Sequence, residues 1–292
     1  MPSYRYRVVD VFTEKALEGN PLAVFPEAAG MNDVTMQKIA KEMNLSETTF
    51  VLPPARADCT ARVRIFTPMR EMLFAGHPTI GTAYVLLHEG KTPKGSDRFI
   101  LEEKIGPVPV RVAAGERPMI WLTTPAIQFG RRYDRSVCAK AVGLDVSDLL
   151  EIAPQLVSAG NPNLFIGIKN KEAVDRACCD LAGLALLKER GEEPICVFVF
   201  AATAEGAYSR MFAPEHGVVE DPATGSATGP LAAYMMHHKL TPLADGTRFF
   251  SEQGTKMGRR SILYVQVHGE HGVDGIEVGG YVTPLVDAVM NL

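Results

Sequence analysis

The chain has 292 residues, 46% hydrophobic and 22% charged, with a formal net charge of −4. That is enough for one large domain or two of ordinary size, and it lacks the basic excess that nucleic acid or an anionic membrane surface selects. The longest apolar runs, Ala83 to Leu87 and Val197 to Ala202, fall far short of the about 20 residues of a membrane helix. The first residues carry no apolar signal-peptide core, so a cytoplasmic location is expected.

In chain order, Arg5 to Phe12 alternates as a strand does. Met36, Ile39, Ala40 and Met43 then recur at helical spacing, with Asn32 or Asp33 as N-cap and Asn44 as the stop. Strands are expected at Ser46 to Leu52, Arg62 to Phe66, Val108 to Val112, Met119 to Thr123, Leu164 to Ile168, Ile195 to Phe200 and Ile262 to Val267. Val137 to Val142, Val146 to Ile152 and Ala173 to Leu187 read as helices. Pro78 to His88 and Ala227 to His238 are apolar on nearly every side, so each must be enclosed by protein. His268 and His271 flank Gly269 and Gly272 in an apparent exposed hairpin. Trp121 and the Met36–Met43 stripe read as core.

Five cysteines (Cys59, Cys138, Cys178, Cys179, Cys196) are odd in number and irregularly spaced, which suits reduced, structural thiols. Seven histidines show no metal-binding spacing, and adjacent His237 and His238 would point about 100° apart on a helix, so no metal is expected. Phosphate-cradling glycine loops are absent too, so a nucleotide cofactor is not expected.

The chain repeats itself once. Arg64-Ile65-Phe66-Thr67-Pro68 precedes Phe74-Ala75-Gly76-His77-Pro78, and Arg210-Met211-Phe212-Ala213-Pro214 precedes Glu220-Asp221-Pro222-Ala223-Thr224-Gly225-Ser226. Each is followed by an apolar helix and a β-like stretch. A duplicated α+β unit explains this pattern. The expected halves are 1–120, joined by a returning C-terminal strand at 276–292, and 125–275. Each would wrap a curved sheet around its apolar helix.

Each central helix is preceded by a glycine, Gly76 or Gly225, with Pro78 suited to the first helical position. Such starts offer free amides and partial positive charge, a place for a carboxylate or an enolate-like anion. The same glycines also suit plain tight turns, His77 or Ser226 could serve as N-caps, and Asp221-Pro222 is ordinary turn chemistry. Taken alone, Glu47 reads as a surface charge after a helix.

The set Asp10-Val11-Phe12, Gly19-Asn20-Pro21-Leu22-Ala23-Val24, Asn44-Leu45-Ser46-Glu47-Thr48-Thr49-Phe50, Phe74-Ala75-Gly76-His77-Pro78, Glu220 through Ala227, and Glu252-Gln253-Gly254 through Arg259 resembles the phenazine-biosynthesis PhzF-like family over nearly the whole chain. The resemblance implies a diaminopimelate epimerase-like fold of two pseudo-symmetric halves, each a barrel-like mixed sheet around a central helix, with the active site in the cleft between them. It implies a homodimer and a cofactor-independent isomerase that shifts a proton on a small carboxylate of the dihydro-hydroxyanthranilate kind.

Glu47 would then be the acid/base, with His77 and Asp221 completing the catalytic set. Gly76, Gly225 and Ser226 would hold the substrate carboxylate, and Asn20 and Ser46 would line the site. One carboxyl group that first accepts and then returns a proton suits such a shift. Related racemases place a thiol before each helix; here those neighbourhoods carry Ala75 and Asp221, so a two-thiol mechanism is not expected. The rival reading is a non-catalytic binding or interaction protein that kept the cleft.

Overall fold

The computed structural model describes residues 2–188, 192, 194–241, 246, 248–268 and 275–292. The hairpin expected around Gly269 to Gly272, with His271, lies outside the described residues.

In chain order the strands are β1 (Ser3–Val11), β2 (Asn20–Phe25), β3 (Glu47–Leu52), β4 (Ala61–Phe66), β5 (Arg98–Glu103), β6 (Gly106–Ala113), β7 (Met119–Thr123), β8 (Gln128–Arg132), β9 (Gln155–Ser158), β10 (Pro162–Ile168), β11 (Cys196–Thr203), β12 (Gly206–Ala213), β13 (Val218–Asp221), β14 (Arg248–Gln253), β15 (Ser261–Val267), β16 (Ile276–Gly280) and β17 (Val282–Asn291). The helices are α1 (Asp33–Met43), α2 (Gly76–His88), α3 (Arg135–Ala141), α4 (Lys171–Arg176), α5 (Leu181–Leu187) and α6 (Gly225–His237). Two compact units result: Met1–Thr123 with Val278–Leu292, and Thr124–Glu277.

In the first unit, β17, β1, β2, β3, β4, β5, β6 and β7 follow one another as hydrogen-bonded neighbours. The steps β2–β3 and β4–β5 are parallel, and α1 and α2 supply the crossovers that parallel pairs require. Helix α2 touches β1, β2, β3, β4, β7 and β17, strands from both ends of that row, so the sheet curls around it. The helix is buried from Gly76 through Leu86, as its all-round apolar sequence demands. On the outside, Met36, Ile39 and Ala40 of α1 pack with Ala23, Phe25, Phe50 and Phe66. Asn32 caps α1 through the Thr35 amide, and Asn44 closes it in the left-handed conformation.

The second unit repeats the same series of strand directions. β9–β10 is antiparallel, β10–β11 parallel, β11–β12 antiparallel, β12–β14 parallel and β14–β15 antiparallel, matching β1 through β6. Helix α6 takes the place of α2, buried from Gly225 through Met235 among Phe165, Phe198, Phe200 and Val265. The five-residue echo has a structural meaning. Arg64 and Arg210 each lie over a phenylalanine two residues on, Phe66 or Phe212, at 5.1 and 4.9 Å. Each guanidinium also pairs with a glutamate beyond the strand, Glu71 or Glu220, at 2.7 and 2.8 Å.

Several local expectations need correction. Ala173 to Leu187 is two helices, α4 and α5, because Asp180 caps a fresh start through the Gly183 amide. Gly183 approaches α3 so closely that a Cβ would lie 2.2 Å from the Ala141 carbonyl oxygen. Cys178 and Cys179 therefore sit in the break and not on a helix. Val146 to Ile152 makes a single 3-10 turn at Val146–Asp148, since Leu149 and the Leu150 amide pair with the edge of β10 at Ile168 and Gly167. Gly76 and Gly225 begin their helices instead of preceding them, which makes Pro78 the third helical residue. The N-caps are Ala75 and Thr224, so neither His77 nor Ser226 caps. Strand β2 falls on the Asn20–Val24 motif, where no strand was expected.

Gly206 starts β12 at φ +144°, and a Cβ there would lie 2.0 Å from the Phe250 carbonyl oxygen. Gly206→Ala should therefore cost about 3 kcal/mol or more, through strain and loss of the β12–β14 pairing. Urea unfolding checks this; an unchanged midpoint would refute the close approach.

Candidate active site

In the first unit, three expected residues meet at the start of α2. Asn20 opens β2, Glu47 opens β3, and the parallel register puts Glu47 opposite Leu22. Side chains two apart on a strand share a face, so Glu47 and Thr49 both look toward α2. Thr49 Oγ1 meets Thr82 Oγ1 at 2.9 Å, and Glu47 Oε2 meets His77 Nε2 at 3.4 Å. The two contacts run in step: two strand residues cover about 6.7 Å, and the five helical residues from 77 to 82 cover about 7.5 Å.

His77 is 3% exposed, and its Nδ1 lies 3.2 Å from the Asn20 amide nitrogen. That nitrogen donates, so Nδ1 accepts and the neutral ring carries its proton on Nε2, the side facing Glu47. Burial lowers the His77 pKa from 6.5 to about 3, so the ring is uncharged at ordinary pH. Glu47 is less enclosed, with 15% of its side chain exposed. Ser46 is half-buried just ahead of β3. Gly76 is the buried first residue of α2, and the Ala75 side chain cannot cap the amides beside it.

In the second unit, Asp221 ends β13 and is 5% exposed. Its Oδ2 accepts from the Thr224 hydroxyl at 2.6 Å. Gln253, at the end of β14, ties this turn together. Its amide nitrogen donates to the Asp221 carbonyl at 2.7 Å and to Thr224 Oγ1 at 2.9 Å, while its oxygen accepts from the Thr224 amide at 3.1 Å. Gly254 follows at φ +74°, and a Cβ there would lie 2.6 Å from the Pro222 carbonyl oxygen, so the Gln253-Gly254 pair belongs with the Asp221 turn. Gly225 and Ser226 are the first two residues of α6, both buried. Thr224 spends its hydroxyl on Asp221, and the first-turn amides receive no cap from it.

Thr224 and Gln253 were not singled out from sequence as site residues, although both lie inside the quoted motifs. Nor were Thr79 and Glu103, which underlie the start of α2. The repeat supplies the signal for them, because Thr79 and Thr228 occupy the same place in their helices. No cysteine lies at the start of α2 or α6. Burial pushes the Cys138 and Cys179 thiols up to about 12, far from the thiolate that chemistry would need. Among the described residues, no group of three or more His, Cys, Asp or Glu is placed to hold a metal ion, and no helix is long and apolar enough to cross a membrane.

The sequence profile of the phenazine biosynthesis-like protein family (PhzC-PhzF) matches residues 9–287. A trans-2,3-dihydro-3-hydroxyanthranilate isomerase of Pseudomonas aeruginosa is 37% identical over 286 residues, covering 95% of each chain. An uncharacterized isomerase of Clostridium acetobutylicum is 35% identical, covering 90% of each. Among solved structures, a PhzF-family phenazine biosynthesis protein of Bacillus anthracis superposes with a TM-score of 0.86 at 27% identity, covering 100% of both chains. A probable proline racemase of Agrobacterium radiobacter, 14% identical with a TM-score of 0.67 over 99% of this chain and 92% of its own, shares the epimerase-like fold. The duplicated helix-in-sheet units, the motif residues gathered at the helix starts and these matches together place the chain in the phenazine biosynthesis-like (PhzF) family, as an isomerase.

Proposed function

We propose that the chain isomerises a small carboxylate by moving a proton between two of its carbons, with Glu47 as the group that takes the proton and gives it back. The supporting observation is the pairing of Glu47 with a buried, neutral His77 at the start of α2. A neutral imidazole beside the carboxylate does not neutralise it as an imidazolium would, and its Nε2–H can orient either Glu47 or a substrate oxygen. Asn20 fixes the ring tautomer through Nδ1. The amides of Gly76 and His77, at the positive end of a buried helix, suit the negative charge of a carboxylate or of an enolate-like intermediate. Asp221 and Ser226 sit at the corresponding amide-rich start of α6 and are assigned to the same chemistry. The relatives' names suggest the substrate class, a dihydro-hydroxyanthranilate.

Glu47→Gln should keep the fold and ligand binding while turnover falls by about 10²- to 10⁴-fold, the usual range for a lost acid/base group. Turnover of trans-2,3-dihydro-3-hydroxyanthranilate, with deuterium uptake from heavy water, is the assay. Undiminished turnover in the variant would remove Glu47 from the mechanism. Binding without turnover or exchange in the parent chain would favour a binding protein.

His77 carries a second prediction. Its folded pKa is depressed to about 3 against 6.5 when unfolded, so below pH 6.5 the unfolded chain takes up a proton that the folded chain refuses. The stability it contributes is complete above 6.5 and is lost as pH falls toward 3. His77→Asn should flatten that acid decline in thermal-unfolding scans, and parallel profiles would contradict the assignment.

A further inference from the structure

Each unit ends a strand beneath the start of its central helix, and the last side chain of that strand meets the residue before the helix. In the second unit this is Gln253, a permanently neutral amide that accepts from the Thr224 amide. In the first unit the same place is held by Glu103, the last residue of β5 as Gln253 is the last of β14. Its carboxyl group meets the Ala75 amide and Thr79, and it is 5% exposed.

The hydroxyl at the fourth helical position counts the protons. Thr228 donates to the Thr224 carbonyl at 3.0 Å, and Thr79 does the same to the Ala75 carbonyl at 2.8 Å. Thr79 Oγ1 also lies 2.5 Å from Glu103 Oε1. A threonine hydroxyl has one proton, and a carbonyl can only accept. If Glu103 were a carboxylate, two acceptors would compete for that proton. If Glu103 is a carboxylic acid, its O–H donates to Thr79 Oγ1, and Thr79 passes its own proton to Ala75. Each hydroxyl proton then has one acceptor, which a carboxylate at Glu103 would not allow.

The charged groups nearby are turned elsewhere. In the turn after β5, Lys104 pairs with Glu71 at 3.3 Å, and on β5 itself Glu102 accepts from the amides of Ala55 and Arg56. On β4, Arg64 pairs with Glu71 and Asp33, and Arg62 lies opposite Glu102 in the register. The partner of Glu103 on β6 is Gly106. The titratable side chain in the first turn of α2 is His77, held neutral. Among the described residues no cation is therefore set to stabilise an ionised Glu103, and burial pushes its pKa from 4.5 up to about 8 despite the opposing pull of Thr79 and the Ala75 amide.

We propose that Glu103 is a positioning residue that acts as a neutral carboxylic acid, holding the first turn of α2 so that Gly76 and His77 can receive an anionic substrate. The role rests on the reading of this site as one that binds a carboxylate. Ionising Glu103 would break the proton chain through Thr79 and set a negative charge against the amide-rich helix start, weakening its attraction for an anion. Substrate binding would then decline as pH rises through the range in which Glu103 loses its proton.

Two measurements test this with Glu103→Gln, which restores the neutral amide of the second unit. First, the unfolded chain releases this proton near 4.5 and the folded chain near 8, so stability due to the proton is complete below 4.5 and is lost as pH rises to about 8. The parent chain should lose melting temperature over that window relative to Glu103→Gln; parallel profiles would overturn the proposal. Second, calorimetric binding of 3-hydroxyanthranilate should weaken roughly three- to tenfold between pH 7 and 9 in the parent chain, in line with a charge at a helix end, and stay level in Glu103→Gln. Equal pH dependence in both would overturn the positioning role.

Should the variant not fold, the infrared carboxylic-acid band of the parent chain decides: persistence at pH 7 and loss above about 8 supports the proposal, and absence at pH 7 overturns it. None of these readouts uses turnover. If Glu47→Gln remained active, the isomerase mechanism would fail while the protonation state of Glu103 would still be measured.

Discussion

A helix enclosed along its flanks by strands keeps unpaired backbone groups only at its ends, and at its first turn these are amides. Everything else in each unit follows from burying α2 or α6 in that way. The strands must curl to cover the helix, the helix must be apolar all round, and small residues are needed where the walls come close. At Gly81 a Cβ would lie 2.6 Å from Leu22 and 2.8 Å from Val11. The helix start then becomes the natural place for an anion, and the residues that open or close neighbouring strands are the ones brought to it.

The two units share this plan and differ in what they place at the helix start. The first gathers ionisable groups there: Glu47 and His77 above the first turn and Glu103 below it. The second gathers a fixed hydrogen-bond lattice in which Gln253, Thr224 and Asp221 each hold the next. A duplicated scaffold thus carries one half with Glu47, His77 and Glu103 at its helix start and one half in which Asp221, Thr224 and Gln253 are joined by hydrogen bonds. The retained pairs, Arg64 with Glu71 and Arg210 with Glu220, show what the duplication kept for architecture. Each couples a strand to the segment leading into its central helix.

Much of this was legible in the residues. Apolar runs without a polar face announced both enclosed helices, because burial on all sides removes the periodicity that an amphipathic helix shows. Asn32 and Asn44 marked the ends of α1 because capping is a local interaction between residues three or four apart. The repeat was visible because Arg64-Ile65-Phe66 and Arg210-Met211-Phe212 perform the same packing. What failed was where distant contacts overruled local pattern. The periodicity of Ala173 to Leu187 suits one helix, yet the approach of Gly183 to Ala141 and the Asp180 cap divide it. Val146 to Ile152 is drawn to the edge of β10, a strand that begins ten residues later.

By itself the sequence determined the family, the duplicated α+β plan, and the motif residues Asn20, Glu47, His77 and Asp221, because these depend on residue types in a fixed order along the chain. The tertiary structure alone decided the states of those groups. The neutrality of His77, its tautomer, and the protonation of Glu103 depend on how much water is excluded and on which atoms lie within hydrogen-bond reach. Those neighbours come from strands 24 to 57 residues away in the chain, and no local spacing encodes them.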